Sequence, residues 1–133
     1  MKILQLVLIP LLFSACASHK KLYITTSSGL QYLTIQKGKG KPAKAGQEVL
    51  IFETTSYLNG TVLYSNENSN TPVKVLIGGN QATSAVDEGL RGMKVGETRM
   101  LIAPPQLVKR KSYPPNVSPD SSLAIKIILQ KIL

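Results

Sequence analysis

The stretch Asp87–Pro105, "DEGLRGMKVGETRMLIAPP", changes its hydrophobic period halfway along. Its first part continues a helical stripe that begins upstream in "NQATSAVDEGLRGM": Ala82, Val86 and Leu90 stand at i, i+4 and i+8, and Met93 follows on the same side. Asn80 is a candidate cap, and Gly89 or Gly92 a candidate end, for a helix of two to three turns. From Glu97 to Ala103 the residues are those of a strand, and Pro104-Pro105 stops it. A short helix thus feeds a strand through a glycine-containing turn.

Outward from this block the chain reads mostly as strand. Gly29–Lys37 ("GLQYLTIQK") alternates, and "KGKGKPAKAG" is a turn region. Glu48–Leu58 ("EVLIFETTSYL") is rich in β-branched and aromatic residues, and Asn59-Gly60 then turns the chain into "TVLYS", a hairpin signal. Val73–Ile77 and Leu123–Ile132 complete the set, and in the last strand Leu123, Ile125, Ile127 and Leu129 share what should be the core face. Five to six strands with one apolar-striped helix define an α+β domain in which the helix covers one face of an antiparallel sheet.

The N-terminal residues read differently. Met1-Lys2 is a short basic region and "ILQLVLIPLLF" an apolar run too short to span a bilayer as a helix, so residues 1–15 are expected to be a signal peptide. Ser14 and Ala15 precede Cys16, the chain's one cysteine, in a pattern resembling a bacterial lipobox. Two readings stand: cleavage before Cys16 with lipidation of its sulfur, or ordinary secretion with a free thiol left over. The first accounts for a lone cysteine in an exported protein. It predicts a domain tethered to a bacterial cell membrane through a polar linker, residues 16–28, with the folded domain at 29–133. The chain has 16 basic and 7 acidic residues. Its lysines cluster at Lys20-Lys21, in "KGKGKPAK" and in "VKRKS", as solvated loops or as contacts for an anionic headgroup or an acidic partner. No basic helix or aromatic-interleaved strand supports nucleic-acid binding.

The residues for several chemistries are missing. The one histidine, His19, lies in the linker, which excludes a Ser-His-Asp or Cys-His arrangement in the domain. No His, Cys, Asp and Glu cluster has metal spacing, and "GKGKPAKAG" lacks the ending of a phosphate-binding loop. Asp87 and Glu88 are adjacent, point in different directions and suit an early helical turn. An enzyme of this sequence would work without a nucleophile, metal or cofactor.

Five segments in constant order carry a resemblance: "SSGLQYLTIQKGKGKPAKAGQEV", "NGTVLYS", "TPVKVLIG", "DEGLRGMKVGETRMLIAPP" and "YPPNVSPDSSLAIKIILQKI". Together, from Ser28 to Lys131, they resemble FKBP-type peptidyl-prolyl isomerases. The resemblance implies a twisted antiparallel sheet wrapped around one short helix. It also implies a monomer that needs no cofactor, accepts proline-containing polypeptide segments and turns an X-Pro amide in an apolar pocket. It places the backbone N–H of Thr83 as the donor to the substrate carbonyl, with Tyr64 and Tyr113 as aromatic hydroxyls at the rim. The pocket it implies comprises Glu53, Leu63, Val73, Ala82, Val86 and Ile125. The departures are large. Val86, Val73 and Ile125 stand where the family has aromatic rings, Leu63-Tyr64 where it has Phe and an acid, and Glu53 where it has a tyrosine. Two outcomes stay open, a working but weak pocket or one filled by its own core residues.

Overall fold

The computed structural model describes residues 21–133. The signal peptide and the lipidation of Cys16 fall outside the described residues. Seven strands form one antiparallel sheet: β1 Ile24–Thr25, β2 Gln31–Gln36, β3 Glu48–Tyr57, β4 Val62–Ser65, β5 Val73–Leu76, β6 Thr98–Ala103 and β7 Leu123–Ile132. The strand order is β1-β2-β6-β7-β3-β4, and β5 also pairs with β3. Among the described residues the one α-helix, α1, spans Ser84–Leu90 and packs on β6 and β7. This is the α+β arrangement the sequence predicts, with one strand more. The extra strand, β1, lies in the stretch read as linker and pairs Ile24 with Tyr32 and Thr25 with Gln31. Just after it, the hydroxyls of Thr26 and Ser28 donate to the two carboxylate oxygens of Glu88 at 2.6 and 2.7 Å. Those bonds tie the sheet edge to α1; only Asp87 lies in the first helical turn, so Glu88, expected there with it, serves this contact instead of the helix start.

Burial follows the two periods. On β7 the residues Leu123, Ile125, Ile127 and Leu129 are all buried, and α1 buries Val86 and Leu90, with Met93 just beyond it. Gly89 of α1 makes room for a neighbour: a Cβ there would lie 2.5 Å from Cδ1 of the fully buried Leu101 of β6, so any side chain would force that leucine to move within the packed core. Arg99 closes the end of α1. Its Nη1 donates to the carbonyls of Gly89 and Arg91 at 3.1 and 3.3 Å, and it pairs with Glu97 at 2.7 Å. A cation at the helix C-terminus offsets the exposed carbonyl dipoles, and Glu97, equally buried, keeps that charge from standing alone. The helix start departs from expectation. Thr83, not Asn80, is the residue before the first turn, and no side chain caps it. Asn80 instead adopts φ 57°, in the left-handed region that Asn tolerates, and turns the chain between β5 and α1.

Strand β3 organises what lies between these elements. Its first half pairs with β5, from Glu48 to Ile51, and its second half with β4, from Thr54 to Ser56. Asn66 bridges the gap between the two partners. Its Oδ1 accepts from the N–H of Glu53 at 2.6 Å, and its Nδ2 donates to the carbonyls of Ile51 and Thr71, both at 3.3 Å. That explains a buried asparagine in an otherwise apolar neighbourhood. The β3–β4 turn carries its left-handed residue at Gly60, φ 93°, and the N–H of Thr61 donates to Asn59 Oδ1 at 3.0 Å.

Candidate functional site

Along the inward face of β3 the residues run Val49, Ile51, Glu53, Thr55. The first two are fully buried hydrophobes; the next two are polar. Where the apolar run stops, the sheet, α1 and two loops leave a cleft of about 770 Å³. Val86 of α1 and Leu123 at the start of β7 are apolar residues buried beneath it, and Leu63 and Val73 of β4 and β5 form apolar parts of its wall. Half-exposed Tyr64 stands on the same wall, and it is the one aromatic residue of the lining. Ala82 and Thr83 approach from the segment leading into α1. The carbonyl of Thr83 accepts from Asp87 N–H at 3.0 Å and so starts the helix, while its own N–H donates to no protein acceptor among the described residues.

The far wall is the long connection between β6 and β7. It begins with one 3₁₀ turn, Pro105–Leu107, and then runs back over the cleft. Tyr57 of β3 pins it: its hydroxyl donates to the Asn116 carbonyl at 2.8 Å and accepts from the N–H of Ser118 at 2.9 Å. Asn116 Nδ2 reaches the Leu63 carbonyl at 3.5 Å. Between the 3₁₀ turn and this anchor the connection presents Lys109, Arg110 and Lys111 to the cleft.

Glu53 is the one carboxylate of the lining. Burial pushes its pKa above the ordinary value of 4.5; the hydroxyl of Thr55, donating to Oε1 at 2.8 Å, and the positive field of Arg110 pull the other way. The cleft is thus apolar beneath, acidic on one wall and basic on the other.

Of the nine residues the resemblance implied for the site, Glu53, Leu63, Tyr64, Val73, Ala82, Thr83 and Val86 come together around this cleft. Two do not. Ile125 is packed into the core with 2% of its surface exposed, its Cα paired with those of Thr55 and Leu101, and Leu123, two residues earlier on the same face, lies under the cleft instead. Tyr113 turns its hydroxyl back into its own loop, where it accepts from the N–H of Arg110 at 3.4 Å. Lys109–Lys111 and Asn116 are cleft residues that the sequence left unassigned. The basic cluster was visible, but its position depends on a loop closure that no local pattern encodes.

The class is α+β: a curved antiparallel sheet folded about one short helix, with a cleft between helix, hairpin and long β6–β7 connection. The family profile of FKBP-type peptidyl-prolyl cis-trans isomerases matches residues 39–130, and the chain belongs to that family. It is 36% identical over 91 residues to the peptidyl-prolyl cis-trans isomerase Mip of Chlamydia pneumoniae, covering 67% of this chain and 34% of that protein. It is 32% identical over 114 residues to the chloroplastic peptidyl-prolyl cis-trans isomerase FKBP16-3 of Arabidopsis thaliana, covering 82% and 51%. The chain spans only about a quarter to a third of the length of the first curated relatives it matches. Among solved structures, FkpA from Escherichia coli superimposes with a TM-score of 0.74 at 25% identity, over 86% of this chain and 53% of that one. AtFKBP13 superimposes with 0.75 at 23% identity, over 84% and 99%.

Proposed function

We propose that this protein is a peptidyl-prolyl cis-trans isomerase acting on proline-containing segments of exported polypeptides. The observation that carries the reading is the open cleft beside Val86, with a backbone N–H, that of Thr83, at its edge that has no acceptor among the described residues. An X-Pro bond rotates over a barrier of ~18–20 kcal/mol, which is the amide resonance lost on twisting. A prolyl ring held against Leu63, Val86 and Leu123 leaves the twisted amide in an apolar setting. The Thr83 N–H offers a donor to the carbonyl of the bound segment, and the Tyr64 hydroxyl stands at the rim. No proton need move, and a thousandfold acceleration takes only about 4 kcal/mol of differential stabilisation. Membrane attachment through a lipid on Cys16 would hold the domain where exported chains emerge. A Cys16→Ser form that still fractionates with the membrane at unchanged size would contradict that part of the proposal.

A second reading, a binding module with weak or no turnover, is favoured by the lining itself. Tyr64 is its single aromatic ring, and Val replaces a large ring on the helix. At ~25 cal/mol per Å², a contact smaller by ~100 Å² weakens prolyl binding by about 2.5 kcal/mol. Cis-to-trans relaxation of a short proline peptide with the purified protein separates the two. Acceleration at micromolar protein that Val86→Arg abolishes supports the isomerase. No acceleration, with peptide binding retained, supports the module.

A further inference from the structure

We propose that the cleft selects segments in which an acidic residue flanks the proline, with Lys109, Arg110 and Lys111 recognising that charge. This names the substrate class of the site and rests on the isomerase reading given above. Three consecutive cations line one wall of the cleft, and all three are exposed. None has a carboxylate oxygen within 4 Å. Four of the seven acidic residues are paired elsewhere: Glu48 with Lys74, Glu67 with Lys126, Asp87 with Arg91 and Glu97 with Arg99; Asp120, on the same connection as the trio, does not line the cleft and has no cation within 4 Å among the described residues. Glu88 takes the hydroxyls of Thr26 and Ser28. Residues 1–20 contain no Asp or Glu, so they hold no partner either. Only Glu53 faces the trio, and it faces it as a single group. Its Oε1 is bonded by Thr55, and its burial biases it toward the neutral form. The trio is also held in place, because the connection that carries it is bonded to Tyr57 and Leu63 downstream. An extended segment with its prolyl ring over Val86 passes this wall with a neighbouring side chain. A carboxylate there meets cations that no carboxylate among the described residues pairs within 4 Å. Complementarity of this kind sets specificity and encounter rate more than raw affinity. Exposed pairs are individually weak, so the expected preference is roughly three- to tenfold.

The test uses proline peptides with Glu, Leu or Lys before the proline, followed by isomerisation rate and by fluorescence anisotropy of labelled peptide. At low salt Glu-Pro should exceed Leu-Pro by that factor and Lys-Pro should fall below it, with the gaps shrinking at about 0.5 M salt. Combined Lys109→Gln, Arg110→Gln and Lys111→Gln should bring the Glu-Pro to Leu-Pro ratio near one. Combined Lys37→Gln, Lys39→Gln and Lys41→Gln removes as much charge away from the cleft and should leave the ratio alone. Turnover without preference among the peptides overturns the inference and leaves the isomerase reading standing. Preferential Glu-Pro binding without turnover, lost in the cleft variant, does the reverse. A ratio that both variants change equally assigns the effect to overall charge and overturns the inference. So does competition by phosphatidylglycerol vesicles with no peptide preference, which would assign the trio to a membrane surface.

Discussion

The two halves of strand β3 look inward onto different surroundings. Val49 and Ile51 are completely buried against the packed core. One residue pair further along the same face, Glu53 and Thr55 border an open cleft of about 770 Å³. Backbone geometry is shared across the change, since both halves pair antiparallel with β7. What differs is the second partner, β5 for the first half and β4 for the second, and the side chains that each half turns inward. In this molecule the site is the place where inward alternation persists but hydrophobicity does not. On the proposed reading, the first half serves stability and the second half recognition.

The sharpest way to break that division is to truncate its dry side. Ile51→Ala should lose about 2–5 kcal/mol in chemical unfolding, from lost burial plus the cavity left behind, while peptide binding by the folded fraction stays as it was. Binding that falls in step with stability would show that the two halves are not separable. A smaller effect is expected one step along the strand, at Glu53→Gln, where Gln can still accept from Thr55. The Glu53 carboxyl holds its proton to higher pH in the folded chain than in the unfolded one. Its contribution is therefore fully present below about 4.5 and is lost as pH rises through the folded value. The glutamine form should unfold less readily than wild type at neutral pH, and the difference should close as pH falls below that range. A difference independent of pH would place the effect in packing rather than in charge.

Much of the packed core was legible in the sequence because burial and period coincide there. The alternation Leu123, Ile125, Ile127, Leu129 and the stripe Val86, Leu90, Met93 each need only local geometry to be read, and each is buried. The cleft residues Leu63, Val73 and Val86, on β4, β5 and α1, were named by the family resemblance rather than by any local period. Ile125 shows the limit. The alternation of β7 already put it on the core face, whereas the resemblance put it at the pocket wall, and close packing against β3 and β6 decided for the core. Tyr113 and Lys109–Lys111 lie in the long β6–β7 connection, whose course depends on contacts such as Tyr57 with Asn116, 59 positions apart in the chain. No window of sequence contains both ends of such a bond. The role of Asn66 was hidden for a related reason, since a ladder gap exists only once two partner strands are in place.

The central claim is that a prolyl segment binds in the cleft on the Glu53 side of α1. Backbone amide shifts of ¹⁵N-labelled protein, followed while a proline peptide is added, test it directly. The expected result is a set of concentration-dependent shifts centred on Thr83, Leu63, Tyr64 and Lys109–Lys111, with Val49, Ile51 and Ile127 unmoved. Shifts centred on the exposed β1 edge, or none at millimolar peptide, would contradict it.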